Sequence, residues 1–195
     1  MAIIASTTLT TRYGDFDVRY HHTKDGDGLS VTTGEFEKGE PLLRIHSSCL
    51  FSESFHSITC DCATQLQESL KLIGNDKNGV VVYLFDEGRG AGLITKIKAM
   101  ELERKEGIDT VEAFDRLGLP PDLRSYQVAL QILNDIDMSK VLKLITNNPN
   151  KKTVLENAGY KISKIVGLKL DLSESARDYL KMKKEKLGHK YIDID

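Results

Sequence analysis

The chain has 195 residues, 40% of them hydrophobic and 29% charged, with a formal net charge of −2. That is enough apolar material for one buried core, or at most two small ones. It supplies no positive field to draw in nucleic acid or an anionic membrane surface, so neither is expected as a partner.

No run of about 18 apolar residues marks a membrane span. Residues 1–5 are too short, and lack the basic start, for a secretory leader, so a cytoplasmic protein is expected. The first 60 residues read as β-structure. Phe16, Val18 and Tyr20 alternate with polar residues, as do Leu29 and Val31, with turn chemistry at Gly14-Asp15 and at residues 25–28. Pro41 leads into a short strand of Leu42, Leu43 and Ile45 that ends at His46.

From Cys62 the period changes. Ala63, Leu66, Leu70 and Ile73 share a helical stripe that Gly74-Asn75 is expected to end. Val80 to Phe85 is a continuous apolar run, the mark of a strand buried on both faces. After a loop at residues 86–92, Leu93, Ile97 and Met100 share a helix face, with Gly107 as its C-cap. A helix over 126–136, a strand over 141–145, a helix from Asn148-Pro149 to Gly159, a strand near 162–166 and a last helix from about Ser173 complete the order. The basic residues of 181–190 read as the solvated face of that last helix. The expected fold is mixed α/β, one domain over residues 1–195, with N-terminal antiparallel strands followed by alternating helices and strands.

The three cysteines, Cys49, Cys60 and Cys62, lie within 14 residues, an odd and clustered set that argues against a disulfide framework. Thiolates one residue apart converge on an ion where the backbone turns, as at a strand-to-helix junction, and zinc favours soft thiolates in tetrahedral array. Three protein ligands leave a fourth position for water, the arrangement of a catalytic site. A structural zinc closed by His46 or His56, and three ordinary buried thiols, are the other readings of this spacing.

Glu87-Gly88-Arg89-Gly90-Ala91-Gly92 lies between a buried strand and a helix, where backbone amides and a guanidinium suit phosphate. The spacing is neither a Walker loop nor a dinucleotide fingerprint, and a plain tight connection would look alike. Thr146-Asn147-Asn148-Pro149-Asn150-Lys151-Lys152 joins a hydroxyl, a helix start and two lysines, although Asn148 would cap that helix in any case. For Asp122 and Arg124, spacing alone favours a surface ion pair over a catalytic carboxylate beside a phosphate-facing cation.

Taken in order, these segments resemble the GTP cyclohydrolase II family over about residues 14–189. The carriers are Arg44-Ile45-His46-Ser47-Ser48-Cys49, Cys60-Asp61-Cys62-x-x-Gln65-Leu66, Glu87-Gly88-Arg89-Gly90-x-Gly92-Leu93, Asp109-Thr110-Val111-Glu112-Ala113, Asp122-x-Arg124 and Leu144-Ile145-Thr146-Asn147-Asn148-Pro149. The resemblance implies zinc on Cys49, Cys60 and Cys62. It implies nucleotide contacts from Arg44, Ile45, His46, Ser47, Ser48, Gln65, Glu87, Gly88, Arg89, Thr110, Thr146 and Lys151, and catalysis by Asp122 and Arg124. It further implies GTP as substrate, a magnesium requirement, a homodimer, and hydrolytic opening of the guanine imidazole ring with loss of pyrophosphate and formate.

Four positions depart from the family pattern. Ser48 replaces the usual Glu, Phe85-Asp86 the usual Arg-Gln, and Met100 the usual Tyr. A thioether donates no hydrogen bond, so Met100, counted among the substrate-contacting residues, either weakens formate release and leaves a formamidopyrimidine nucleotide, or merely packs in the core while another group positions the water. Ser48 and Asp86 keep open a different purine or pyrimidine substrate in nucleobase catabolism or specialised metabolism. An inactive nucleotide-binding zinc protein is the reading from another class.

Overall fold

A computed structural model describes residues 2–168 together with 185, 186 and 188. Its frame is one seven-stranded sheet in the order β1-β2-β3-β5-β4-β6-β7. Strands β1 (Ala2–Thr11), β2 (Gly14–Thr23) and β3 (Gly26–Thr33) form an antiparallel meander. Its last member, β3, pairs antiparallel with β5 (Gly79–Leu84). From β5 the sheet continues in parallel through β4 (Leu42–Ser47), β6 (Val141–Ile145) and β7 (Lys161–Val166). The expected mixed α/β class, with antiparallel strands first, is what the chain forms.

Six helices connect and cover the sheet among the described residues. They are α1 (Leu50–Glu53), α2 (Cys62–Asp76), α3 (Gly92–Glu106), α4 (Thr110–Arg116), α5 (Gln127–Asp135) and α6 (Pro149–Asn157), with a 3-10 turn at Glu87–Gly90. Helix α2 packs Leu66, Leu70 and Ile73 on one sheet face, against Phe16, Leu42, Val81 and Ile145. On the other face α5 and α6 bury Ile132, Leu133 and Leu155 against Leu43, Ile45, Val82 and Leu144. Each such side chain removed from water contributes about 1.5–3 kcal/mol.

The two parallel crossovers between neighbouring strands run in opposite directions along the sheet, β4–α2–β5 one way and β6–α6–β7 the other. Right-handed connections then place α2 and α6 on opposite faces and open a crevice at the strands' carboxyl ends, between β4 and β6. The pairing of β4 with β6 is limited to Leu42 opposite Lys143 and Leu43 opposite Leu144.

Local expectations met the tertiary structure unevenly. Helix α2 does not end at Gly74-Asn75 but runs to Asp76, with Lys77 as a left-handed C-cap (φ 52°). Gly74 is there for space, because a Cβ would lie 2.1 Å from the Tyr13 carbonyl oxygen. In β2 the alternation of Phe16, Val18 and Tyr20 gives way to burial of His21 and Thr23. The cause is that α2 covers one face near Phe16 while α5 covers the other near His21. The buried residue of α3 is Ala99, packed with Leu102 and Phe114 of α4, whereas Ile97 is 48% exposed. Helices α1 and α4 were not anticipated; α4 carries a full capping box between Asp109 and Glu112. The helix expected from about Ser173 lies outside the described residues, as does most of the basic segment 181–190.

Candidate metal centre and its cleft

A cleft of about 870 Å³ opens at the carboxyl ends of β4, β5 and β6. Cys49, which is buried, follows β4 as the residue before α1, and Cys62 begins α2. The ligand atoms of Cys49, Cys60 and Cys62 all lie within 4.8 Å of one another, and the Cys49 and Cys60 sulfurs are 3.7 Å apart. Tetrahedral zinc with Zn–S bonds of about 2.3 Å holds its sulfurs about 3.8 Å apart, so these residues fit that ion. Among the described residues neither His46 nor His56 joins the group. Hydrogen bonding within the cluster, first from Cys49, holds the Cys60 thiol far below its usual range despite burial.

Behind Cys49 lies a buried network. The Glu53 carboxylate accepts the Cys49 backbone N–H (2.8 Å) and the Tyr83 hydroxyl (2.7 Å), and faces His46 Nε2 at 3.0 Å. Because a carboxylate only accepts, the His46 Nε2 carries the proton and Nδ1 accepts from Arg44 at 3.4 Å. Burial pushes His46 down to about 4, so the ring is neutral at pH 7. Burial likewise lowers Arg44, to about 10, and its guanidinium reaches Gln65 Oε1 and the Ile145 carbonyl. The Arg44 Nε is buried with no hydrogen-bond partner.

Glu87 spends both carboxylate oxygens within the protein. Oε2 takes the Leu50 N–H at 2.7 Å, and Oε1 takes Lys96 Nζ at 2.7 Å and its neighbour Gly88 N–H at 3.0 Å. Gly88 and Arg89 are both left-handed (φ 62° and 57°). For arginine that conformation costs about 1–2 kcal/mol. It is held by the Leu123 N–H on the Arg89 carbonyl (3.0 Å) and by Arg89 on the Pro121 carbonyl (3.1 Å). The loop so pinned presents Arg124, which grips Asp122 through Nε (2.9 Å) and its terminal nitrogen (2.6 Å) and lies 3.4 Å from the Ser47 hydroxyl. The Asp122–Arg124 pair is thus made, and it sits half-buried rather than on open surface. Burial raises the Asp122 carboxyl, but Arg124 outweighs it and holds the group below its ordinary value.

Most of the residues singled out from sequence come together here. Arg44, His46, Ser47, Ser48, Gln65, Glu87, Gly88, Arg89, Met100, Thr110, Arg124, Thr146 and Lys151 line the cleft with the three cysteines. Asp122 joins through Arg124. Ile45 does not: its side chain is fully buried in the core, and its carbonyl accepts from Lys151 at 2.9 Å. The sequence reading missed Glu53, Tyr83 and Lys96. Only Glu53 left a trace, standing four residues after Cys49 in the first helical turn; Lys96 and Tyr83 reach the centre through the fold alone.

The family model described as GTP cyclohydrolase II matches residues 2–167. The chain is 44% identical over 192 residues to "Riboflavin biosynthesis protein RibBA" of Aquifex aeolicus (strain VF5), covering 96% of this chain and 47% of that one. It is 45% identical over 190 residues to the protein of the same name in Endomicrobium trichonymphae, covering 95% and 46%. With "GTP cyclohydrolase-2" of Archaeoglobus fulgidus it shares 43% over 188 residues, covering 96% and 49%. The chain therefore spans about half the length of the curated relatives it matches.

Proposed function

The chain belongs to the GTP cyclohydrolase II family, and on that premise we propose that it hydrolytically opens the imidazole ring of GTP or a closely related purine nucleotide, with release of pyrophosphate. The observation that carries this reading is the convergence of three cysteine sulfurs on one wall of a cleft whose other walls present Arg89, Arg124 and Lys151. Cys49, Cys60 and Cys62 would hold zinc, which activates water for attack on guanine C8, the electron-poor ring carbon. Residues 1–195 act as one catalytic unit, and two copies associate as a homodimer.

The chain's own groups supply charge and position. Arg124, locked on Asp122, stabilises charge at the α-phosphate as pyrophosphate leaves. A guanidinium paired bidentately with a carboxylate stays protonated, which favours this role over a nucleophilic one. Arg89 and Lys151 add positive charge for a triphosphate that carries its own magnesium. The neutral His46 ring holds Glu53 on one side and accepts from Arg44 on the other.

Met100 lines the cleft with a thioether, which supports ring opening that stops at the formamide. The test is incubation of zinc-loaded protein with GTP and magnesium, following product mass, pyrophosphate and formate. Pyrophosphate with a formyl-retaining pyrimidine nucleotide is expected, and Met100→Tyr should raise formate yield. Stoichiometric formate from the unaltered protein overturns the truncated reaction. Unchanged GTP overturns GTP as substrate and directs the search to another heterocycle, or to a nucleotide-binding role if GTP is still bound.

A further inference from the structure

Lys96 stands at the centre with no part in the chemistry described above. It extends from α3, is mostly buried, and places its Nζ 3.2 Å from the Cys49 sulfur and 2.7 Å from Glu87 Oε1. The Phe51 ring covers the same ammonium at 4.9 Å. A cation this desolvated persists only where it is paired. Glu87 supplies the pairing and is itself fixed by the Leu50 and Gly88 N–H groups. The Lys96–Glu87 pair is therefore an oriented dipole whose positive end rests on the Cys49 sulfur.

The Cys60 sulfur is served differently. It receives the Cys62 backbone N–H and contacts Ser52. The Cys49 N–H is turned away to Glu53, so it cannot serve a sulfur. A divalent ion on three thiolates carries a net charge of −1, and every thiolate donates electron density that lowers the ion's acidity. A hydrogen bond from an ammonium draws density out of the sulfur and opposes that loss, as partners around metal ligands generally do.

We propose that Lys96 is the charge-compensating residue of the three-cysteine centre: held by Glu87 and acting through the Cys49 sulfur, it sets the electron-withdrawing power of the bound ion. The inference rests on the reading of Cys49, Cys60 and Cys62 as metal ligands. It assigns Lys96 a positioning role, with no contact to the reacting atoms, and gives Glu87 the task of holding it.

Cobalt(II) in place of zinc makes the claim measurable, because thiolate-to-cobalt charge transfer reports electron density on sulfur. The full chain, Lys96→Met and Lys96→Arg would be loaded with cobalt and their near-ultraviolet bands compared. Lys96→Met should move the band to longer wavelength and lower kcat for GTP by about 10–100-fold with little change in KM. Lys96→Arg should restore most of both. Should Lys96→Met fail to fold with Glu87 unpaired, the double variant Lys96→Met with Glu87→Gln removes the orphaned carboxylate and should show the same shift. An unmoved band in the folded variant overturns the proposal, whatever happens to the rate. A rise in KM alone also overturns it, and makes Lys96 a substrate contact. Absence of any charge-transfer band in the unaltered protein overturns the metal reading itself, and this inference with it.

Discussion

The Glu53 carboxylate holds the backbone N–H of Cys49 at 2.8 Å with the same oxygen that faces His46 at 3.0 Å. A group four residues along the chain thus fixes the first sulfur's backbone from behind, and Tyr83 of the neighbouring strand holds the other oxygen. Partners of this kind orient ligands as much as the ligands themselves do.

Glu53→Ala leaves the Cys49 N–H, the His46 ring and the Tyr83 hydroxyl without their acceptor. Zinc affinity should fall about 10–100-fold, read by competition with a chromophoric chelator. Glu53→Gln should lie between, since its amide keeps one acceptor but meets the Tyr83 hydroxyl with a donor. Wild-type affinity in Glu53→Ala would show that Cys49 needs no such support.

Removing any one thiolate should remove the ion. Cys62→Ser is expected to lower bound zinc from one per chain to near zero by elemental analysis, and to abolish nucleotide turnover. Full zinc occupancy in that variant would move the site elsewhere.

Arg124 and Asp122 form a planar two-point pair that an ammonium cannot copy. Arg124→Lys should therefore lose at least about 100-fold in kcat/KM, the scale of one lost electrostatic donor. Equal rates for Lys and Arg would reduce the residue to a point charge.

The fully buried His21 lies 2.8 Å from the Ser30 hydroxyl and 3.3 Å from Asp135 of α5. Burial pushes its pKa below the ordinary 6.5, against the opposing pull of Asp135. A depressed folded-state value means the fold prefers the neutral ring. The stability contribution is complete above about pH 6.5 and is lost as pH falls through the folded value. His46, pushed down to about 4, acts in the same sense. Urea midpoints from pH 7.5 to 5 should fall for the wild type and fall less for His21→Gln; parallel curves would rule out His21.

Gly74→Ala tests the close approach of α2 to the first hairpin. Replacing a helical glycine with alanine ordinarily gains about 1 kcal/mol. Here the added Cβ meets the Tyr13 carbonyl oxygen at 2.1 Å, so a net loss of about 1–3 kcal/mol is expected, read as a lower Tm.

Sequence alone determined much that is local. The cluster of Cys49, Cys60 and Cys62 pointed to a candidate metal centre, because neighbouring thiolates suit a soft ion, and the fold brings the three together. The continuous apolar run before Asp86 announced a strand covered on both faces, and Asn148-Pro149 announced a helix start; each is set by neighbours in the chain. What only the tertiary structure decided is which distant groups meet. Gly74 reads as a helix stop until Tyr13 is seen against it, and the face of α3 is set by α4, a helix with too short an apolar pattern to foresee. Lys96 joins Cys49 from 47 residues away, and Tyr83 joins Glu53 from a different strand. Periodicity records which side of an element meets the core, but a contact between two polar groups on separate elements leaves no period in either. Their meeting is fixed by strand order and by the divergence of β4 and β6, and these arise only when the whole sheet assembles.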